Sequence, residues 1–122
     1  GTFDTILKPF LSDSKIDEEV HQRALQAFFS HNIHATKERT GILIMVSLLE
    51  HRVEILADTG INAKVSKDTW QKILTDMVSK IKSNELADGI CIAVKECGEI
   101  LAKDFPGTHE NPNEIKNKII IE

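Results

Sequence analysis

The chain has 122 residues, 41% hydrophobic and 28% charged, and 15 Lys and Arg against 19 Asp and Glu leave a net charge of −4. This length supports one compact domain with a real core and is too short for two comfortable ones. The negative balance weighs against sequence-independent nucleic-acid binding, which needs a basic surface to displace counterions, and no apolar run nears the roughly 20 residues that cross a bilayer.

No secretory signal pattern opens the chain, and Gly1 in place of methionine leads us to expect further segments upstream. Residues 1–11 are weakly periodic and include Pro9, so residues 1–13 read as an N-terminal arm or linker before a single domain over 14–122. Ser14 stands as a helix N-cap with Asp17 in a capping-box position. Ile16, Val20, Ala24 and Phe28 then recur every four residues, widened by Leu25 and Phe29. That spacing predicts an amphipathic helix ending near Ser30. "HNIHATKERTG" is polar, closes on Gly41 and reads as a loop. "ILIMVSLL" (42–49) is an apolar run of strand length, suited to a strand covered on both faces. "VEILA" (53–57) is a second strand. Only Glu50, His51 and Arg52 separate the two, too few for a crossover, so an antiparallel hairpin is the economical connection.

After Asp58 a short helical turn is predicted over 59–64. Ser66 is the next N-cap, with Asp68 favourably placed in the first turn. Trp70, Ile73, Leu74, Met77, Val78 and Ile81 form one helix face, with Trp70 as a core anchor. Leu86, Ile90, Val94, Cys97 and Leu101 mark a further helix. Gly89 and Gly98 each weaken it by up to about 1 kcal/mol relative to alanine, and we expect them to allow close packing on the sheet. Cys91 and Cys97 would lie about 9 Å apart along that axis, beyond disulfide reach, and read as small buried apolar residues. "THENPNE" (108–114) reads as a turn-rich loop and "KIII" (118–121) as a short strand. Two strands are too few to cover these helices, so 119–121 is expected to pair with the apolar run. The fold class is α/β: a layered α/β/α sandwich, with helices on both faces of a small mixed sheet containing the hairpin. An open edge of that sheet would invite a partner chain, a second copy included.

In such a hairpin the start of the first strand lies beside the end of the second. Glu38, Arg39, Thr40 and Asp58 should therefore gather at one rim of the sheet, with Asn62 on the adjoining turn. Hard divalent cations want oxygen ligands, so Glu38 and Asp58 are the candidate ligands for calcium or magnesium. The N–H groups near Gly60 and the fork of Arg39 suit a phosphate, making Arg39, Thr40, Gly60 and Asn62 the candidate ligand-binding set. The competing reading has Asp58 capping the short helix while Arg39 balances its charge. His31 and His34 have zinc-like spacing but no obvious third ligand, and read as surface or loop-packing residues. Glu50, His51 and Glu54 fall at the opposite, hairpin end and read as solvated charges. No Ser-His-Asp set, Walker loop, GxGxxG or cysteine nucleophile is present.

"VHQRALQAFFSHNIHATKERTGILIMVSLLEHRVEILADTGINAKV" couples a helix to a Thr-x-x-Arg-Thr-Gly strand opening, a Glu-x-Arg hairpin and an Asp-x-Gly-Ile turn. Trp70, "GEILAKDFP" and "NPNEI" continue in order. Over roughly residues 20–121 this resembles the TPM domain family, named from thylakoid-lumen, photosystem-repair and receptor-modulating proteins, and especially its bacterial branch of often membrane-associated members. The resemblance implies an α/β/α sandwich. Some relatives are described as acid phosphatases and some bind calcium or other divalent ions. It also implies an earlier strand of the form Thr-Ser-Gly-Glu-Ile, absent from residues 1–14. Where many relatives place Asp-Asn before the strand-opening glycine, this chain has Arg39-Thr40, which removes one acid from the family's cluster. The expectation is a non-catalytic or weakly active module of a larger bacterial protein that binds an unknown protein partner or phosphate-containing ligand. It would be a soluble domain, tethered to the inner membrane only through flanking segments. The alternative is a divalent-metal-dependent phosphatase using Asp58 and Glu38.

Overall fold

The computed structural model describes residues 13–105 and 117–122 in full and 4–9 as backbone. In chain order it runs β1 (Asp4–Pro9), α1 (Ser14–Ser30), β2 (Ile42–Ser47), β3 (Arg52–Ala57), α2 (Thr59–Asn62), α3 (Lys67–Lys82), α4 (Leu86–Asp104) and β4 (Asn117–Ile121). The sheet order is β1-β3-β2-β4. β3 pairs antiparallel with both β1 and β2, while β4 lies parallel to β2, so the sheet is mixed.

The hairpin forms in the register Ile44↔Ile55. Its first strand stops at Ser47, two residues short of the apolar run, and Leu49 is exposed in the turn. His51 takes a positive φ of 58° there, which turns the chain back into β3. The final strand pairs with β2 as expected, Ile119 beside Ile44. One expectation about the sheet is corrected. Residues 4–9, read as part of an arm, are a strand beside β3, with Ile6 against Ile55. Pro9 hid it, yet a proline is tolerated on an edge strand, and here it is the last residue of one. The loop expected over 108–114 lies outside the described residues.

Because alternate side chains point to opposite faces, β2 and β3 feed two cores. Ile42, Ile44, Val46, Val53, Ile55 and Ala57 face α3 and α4, meeting Trp70, Leu74, Met77, Ala93, Cys97 and Leu101. On the other face, Leu43, Met45 and Leu56 meet Val20, Ala24 and Phe28 of α1 and Ile33 beyond it. The result is the layered sandwich. Each fully buried aliphatic or aromatic side chain contributes about 1.5–3 kcal/mol, so the two cores dominate its stability.

Local chemistry sets the helix ends. Ser66 Oγ accepts from Thr69 N–H (3.3 Å), capping α3 as expected. The N-cap of α1 is Asp13, not Ser14: its Oδ1 accepts from the N–H groups of Lys15 (3.0 Å) and Ile16 (3.3 Å). Asp17, expected in a capping box, is thereby left for a distant partner. The glycines of α4 also depart from expectation. A Cβ at Gly89 would lie 3.2 Å from the Met77 carbonyl oxygen, so the close approach there is to α3; at Gly98 it would meet nothing within 4 Å. Cys97 is buried, but Cys91 is exposed; burial pushes the Cys97 thiol up to about 12.

Candidate functional site

Strand pairing assembles the predicted rim. Asp58 N–H donates to the Gly41 carbonyl (2.9 Å), fixing the end of β3 to the start of β2. Gly60 packs onto the loop before β2 so closely that a Cβ would come 2.0 Å from Glu38 O and 2.6 Å from Arg39 O. Glu38, Arg39, Thr40, Asp58 and Gly60 are therefore neighbours, and Asn62 closes the turn.

Most of these groups are occupied in holding the rim together. Asp58 is buried, and Oδ1 accepts from Thr59 N–H (2.7 Å), capping α2. Asn62 donates from Nδ2 to Ala57 O (2.6 Å), while Oδ1 accepts from Trp70 Nε1–H (3.1 Å). Arg39, with φ of 58°, turns outward and donates to the His34 carbonyl (2.9 Å). Thr40 is buried, and its N–H donates to Thr36 Oγ1 (2.8 Å). Glu38 is exposed at the rim's outer lip. Within this set one group is left over: Asp58 Oδ2 is buried without a hydrogen-bond partner, as are His34 Nδ1 and Glu96 Oε2 elsewhere among the described residues. An unsatisfied buried carboxylate oxygen is costly, and it marks a place where a donor or cation would be stabilised. Asp58 and Glu38 alone supply two carboxylates; among the described residues no three His, Cys, Asp or Glu side chains converge to hold a metal. His31 is exposed after α1, and His34 packs its ring 4.7 Å from that of Phe29.

The opposite end of the sheet holds charges that sequence reasoning misplaced. Glu54, read as solvated, is fully buried between β3 and α1, as is Arg52. Arg52 donates from Nε to Asp17 Oδ1 (2.5 Å), from Nη1 to the carbonyls of Glu50 (3.0 Å) and His51 (2.9 Å), and from Nη2 to Asp13 O (3.3 Å). Burial, with Glu18 and Asp17 adding like charge, pushes the Glu54 carboxyl up to about 8. It shares a hydrogen bond of 3.2 Å with His21 Nδ1, in which the tautomer of the imidazole sets the donor. Glu50 is part-buried, bonded by Arg23 and by Ser47 Oγ (2.8 Å). These bonds, that of Arg23 foremost, hold its carboxyl below the usual range. Arg23 also reaches Glu122 after β4 (2.9 Å). A signal for the buried acid existed: a strand flanked on both sides by other strands and covered on both faces leaves no residue solvated. It became readable only with β1 in place.

Four helices layered on both faces of an open mixed sheet, with a polar rim where β2 opens and β3 ends, define the class: a small α/β/α sandwich domain. A family profile described as the TPM domain matches residues 10–100, and the chain belongs to that family. The fold is similar to the NMR structure of BA42 protein from the psychrophilic bacterium Bizionia argentinensis, with a TM-score of 0.68 and 29% identity over 80% of this chain and 70% of that one. No curated protein matches it. No helix among the described residues is long and apolar enough to cross a membrane.

Proposed function

We propose that the domain is a binding module of a larger bacterial protein, taking a cation or a small hydrogen-bond-donating ligand at the β2–β3 rim without turning it over. The observation that carries this reading is Asp58 Oδ2, a buried oxygen left unpaired while its neighbours are fixed in structural bonds. Such a rim is preorganised to hold something. Among the described residues the rim holds one buried carboxylate, that of Asp58, while Glu38 is exposed, which supports binding over hydrolysis. Tethering to the inner membrane through flanking segments belongs to the same reading. The same oxygen also favours a second reading, a divalent-metal-dependent phosphatase, in which exposed Glu38 swings in to share a calcium or magnesium ion with Asp58.

The two part on one set of measurements. Calcium, magnesium, manganese and zinc are titrated while backbone amide shifts are followed, and a generic phosphate ester is assayed with and without each metal. The binding reading expects shifts confined to 38–41 and 58–62, lost in Asp58→Asn, with no turnover. Metal-dependent hydrolysis lost in Asp58→Asn and Glu38→Gln at unchanged stability would establish the phosphatase. Neither shifts nor turnover would remove both.

A further inference from the structure

At the opposite sheet edge from β1, β4 has one strand neighbour among the described residues, β2. Glu122 N–H donates to Val46 O (2.8 Å), and Glu122 O accepts from Leu48 N–H (2.9 Å). Backbone groups alternate in direction along a strand, so the N–H and C=O groups of Ile119 and Ile121 point away from β2, toward the open edge. α4 packs against α3, and its Val94, Cys97 and Gly98 stand across a groove from Ile42 and Ile44 of β2 and Ile119 of β4. Its exposed stripe is small and apolar: Ala87, Cys91, Val94, Gly98 and Ala102, at spacings that share one helix face. Val94 is 54% exposed. Val94 and Gly98 also line a groove of about 180 Å³ with Ile42, Ile44 and Ile119, which joins the stripe to the strand edge.

We propose that a second copy of this chain pairs here, β4 against β4, antiparallel about a two-fold axis at Ile120. In this register Ile119 exchanges both backbone hydrogen bonds with the partner's Ile121, and the reverse follows by symmetry. Lys118 then faces the partner's Glu122, twice across the axis, which is the charge complementarity that selects a copy of itself as the occupant. Shifting the axis to Ile119 would set Lys118 against an isoleucine instead. Glu122 already accepts from Arg23 (2.9 Å) and would bridge two cations. The helices fit the same axis. α4 stands across the groove from Ile42, Ile44 and Ile119, so the axis brings the two α4 helices toward each other, where Val94 and Gly98 meet across the interface and close the groove. A paired strand alone buries too little for a stable dimer; the helix stripe supplies the remainder. This proposal is independent of the rim.

Sedimentation from micromolar to millimolar concentration tests it. Wild type is expected to pass from monomer to dimer. Lys118→Glu, at an exposed position, is expected to weaken association about tenfold, and adding Glu122→Lys to restore it. Ile120→Cys in a Cys91→Ala background is expected to form a disulfide-linked dimer under air, because symmetric residues at that position lie within disulfide reach. A chain that stays monomeric at millimolar concentration overturns the proposal. So does a dimer indifferent to Lys118→Glu whose Ile120→Cys variant stays reduced, which would place the contact elsewhere. A monomer whose β4 amides shift only on adding an unrelated extended peptide would also overturn it, in favour of a different occupant.

Discussion

With Glu54 enclosed between the sheet and α1, ionising it means placing a charge where water cannot follow, beside the acids Asp17 and Glu18. Its carboxyl titrates near 8 in the fold and near 4.5 in the ordinary state. Between those values the native chain holds the proton that the unfolded chain has released. Stability from this group is therefore fully present below about 4.5 and is lost as pH rises toward 8. The effect is on the order of a few kcal/mol. Glu54→Gln keeps the shape and removes the titration, so thermal scans across that window should slope downward for wild type and run nearly flat for the variant. Parallel slopes would assign the pH dependence to another group. Gly60 makes a second residue-scale case. Its added methyl would sit 2.0 Å from a backbone oxygen that cannot swing aside. Gly60→Ala is expected to cost about 3 kcal/mol, read as a lowered urea midpoint at unchanged slope.

Among the elements, α1 and the hairpin meet through charges as well as apolar packing. Arg52 is the fastener: one buried guanidinium reaches the first turn of α1 through Asp17, the residue before it through Asp13, and the hairpin turn through two carbonyls. Four acceptors in different directions need a planar fork with several donors. Arg52→Ala should therefore cost about 3–5 kcal/mol, since it strands Asp17 and three carbonyls, and Arg52→Lys should recover less than half. Amide shifts in the variants should concentrate in residues 13–20 and 48–52. An even spread over α3 and α4 would show that the guanidinium serves some wider role.

For the whole molecule, the sheet order sets a hierarchy of stability. β2 and β3 are paired on both sides and covered on both faces, whereas β1 and β4 each have one neighbour among the described residues. Local opening is easiest where few buried contacts and few ladder bonds must break. Hydrogen exchange is expected to be slowest in β2 and β3, intermediate in the inner faces of α3 and α1, and fastest in β1. If β1 amides were as protected as those of β3, β1 would be part of the central cooperative unit, not an edge. β4 is a sharper case: its protection should rise with protein concentration if the edge is occupied by a second copy, and should not otherwise.

Periodicity along the chain was sufficient for α1, α3 and α4, a three-residue connection for the hairpin, and the need to cover the helices for the pairing of β4. The spacing of apolar residues directly records which face of a segment meets a core. It was also sufficient for the rim, since an antiparallel hairpin brings Gly41 beside Asp58 whatever else the fold does. β1 escaped because Pro9 and weak alternation hid an edge strand. With it went the burial of Arg52 and Glu54, for nothing local distinguishes a charged residue on a solvated strand from one roofed by a distant helix. Which charges are enclosed depends on what remote segments cover them, and that only the tertiary structure decides. The same holds for Asp58 Oδ2. The chain places the acid at a helix start, but three-dimensional packing determines that one oxygen caps the helix and the other is left buried and unpaired.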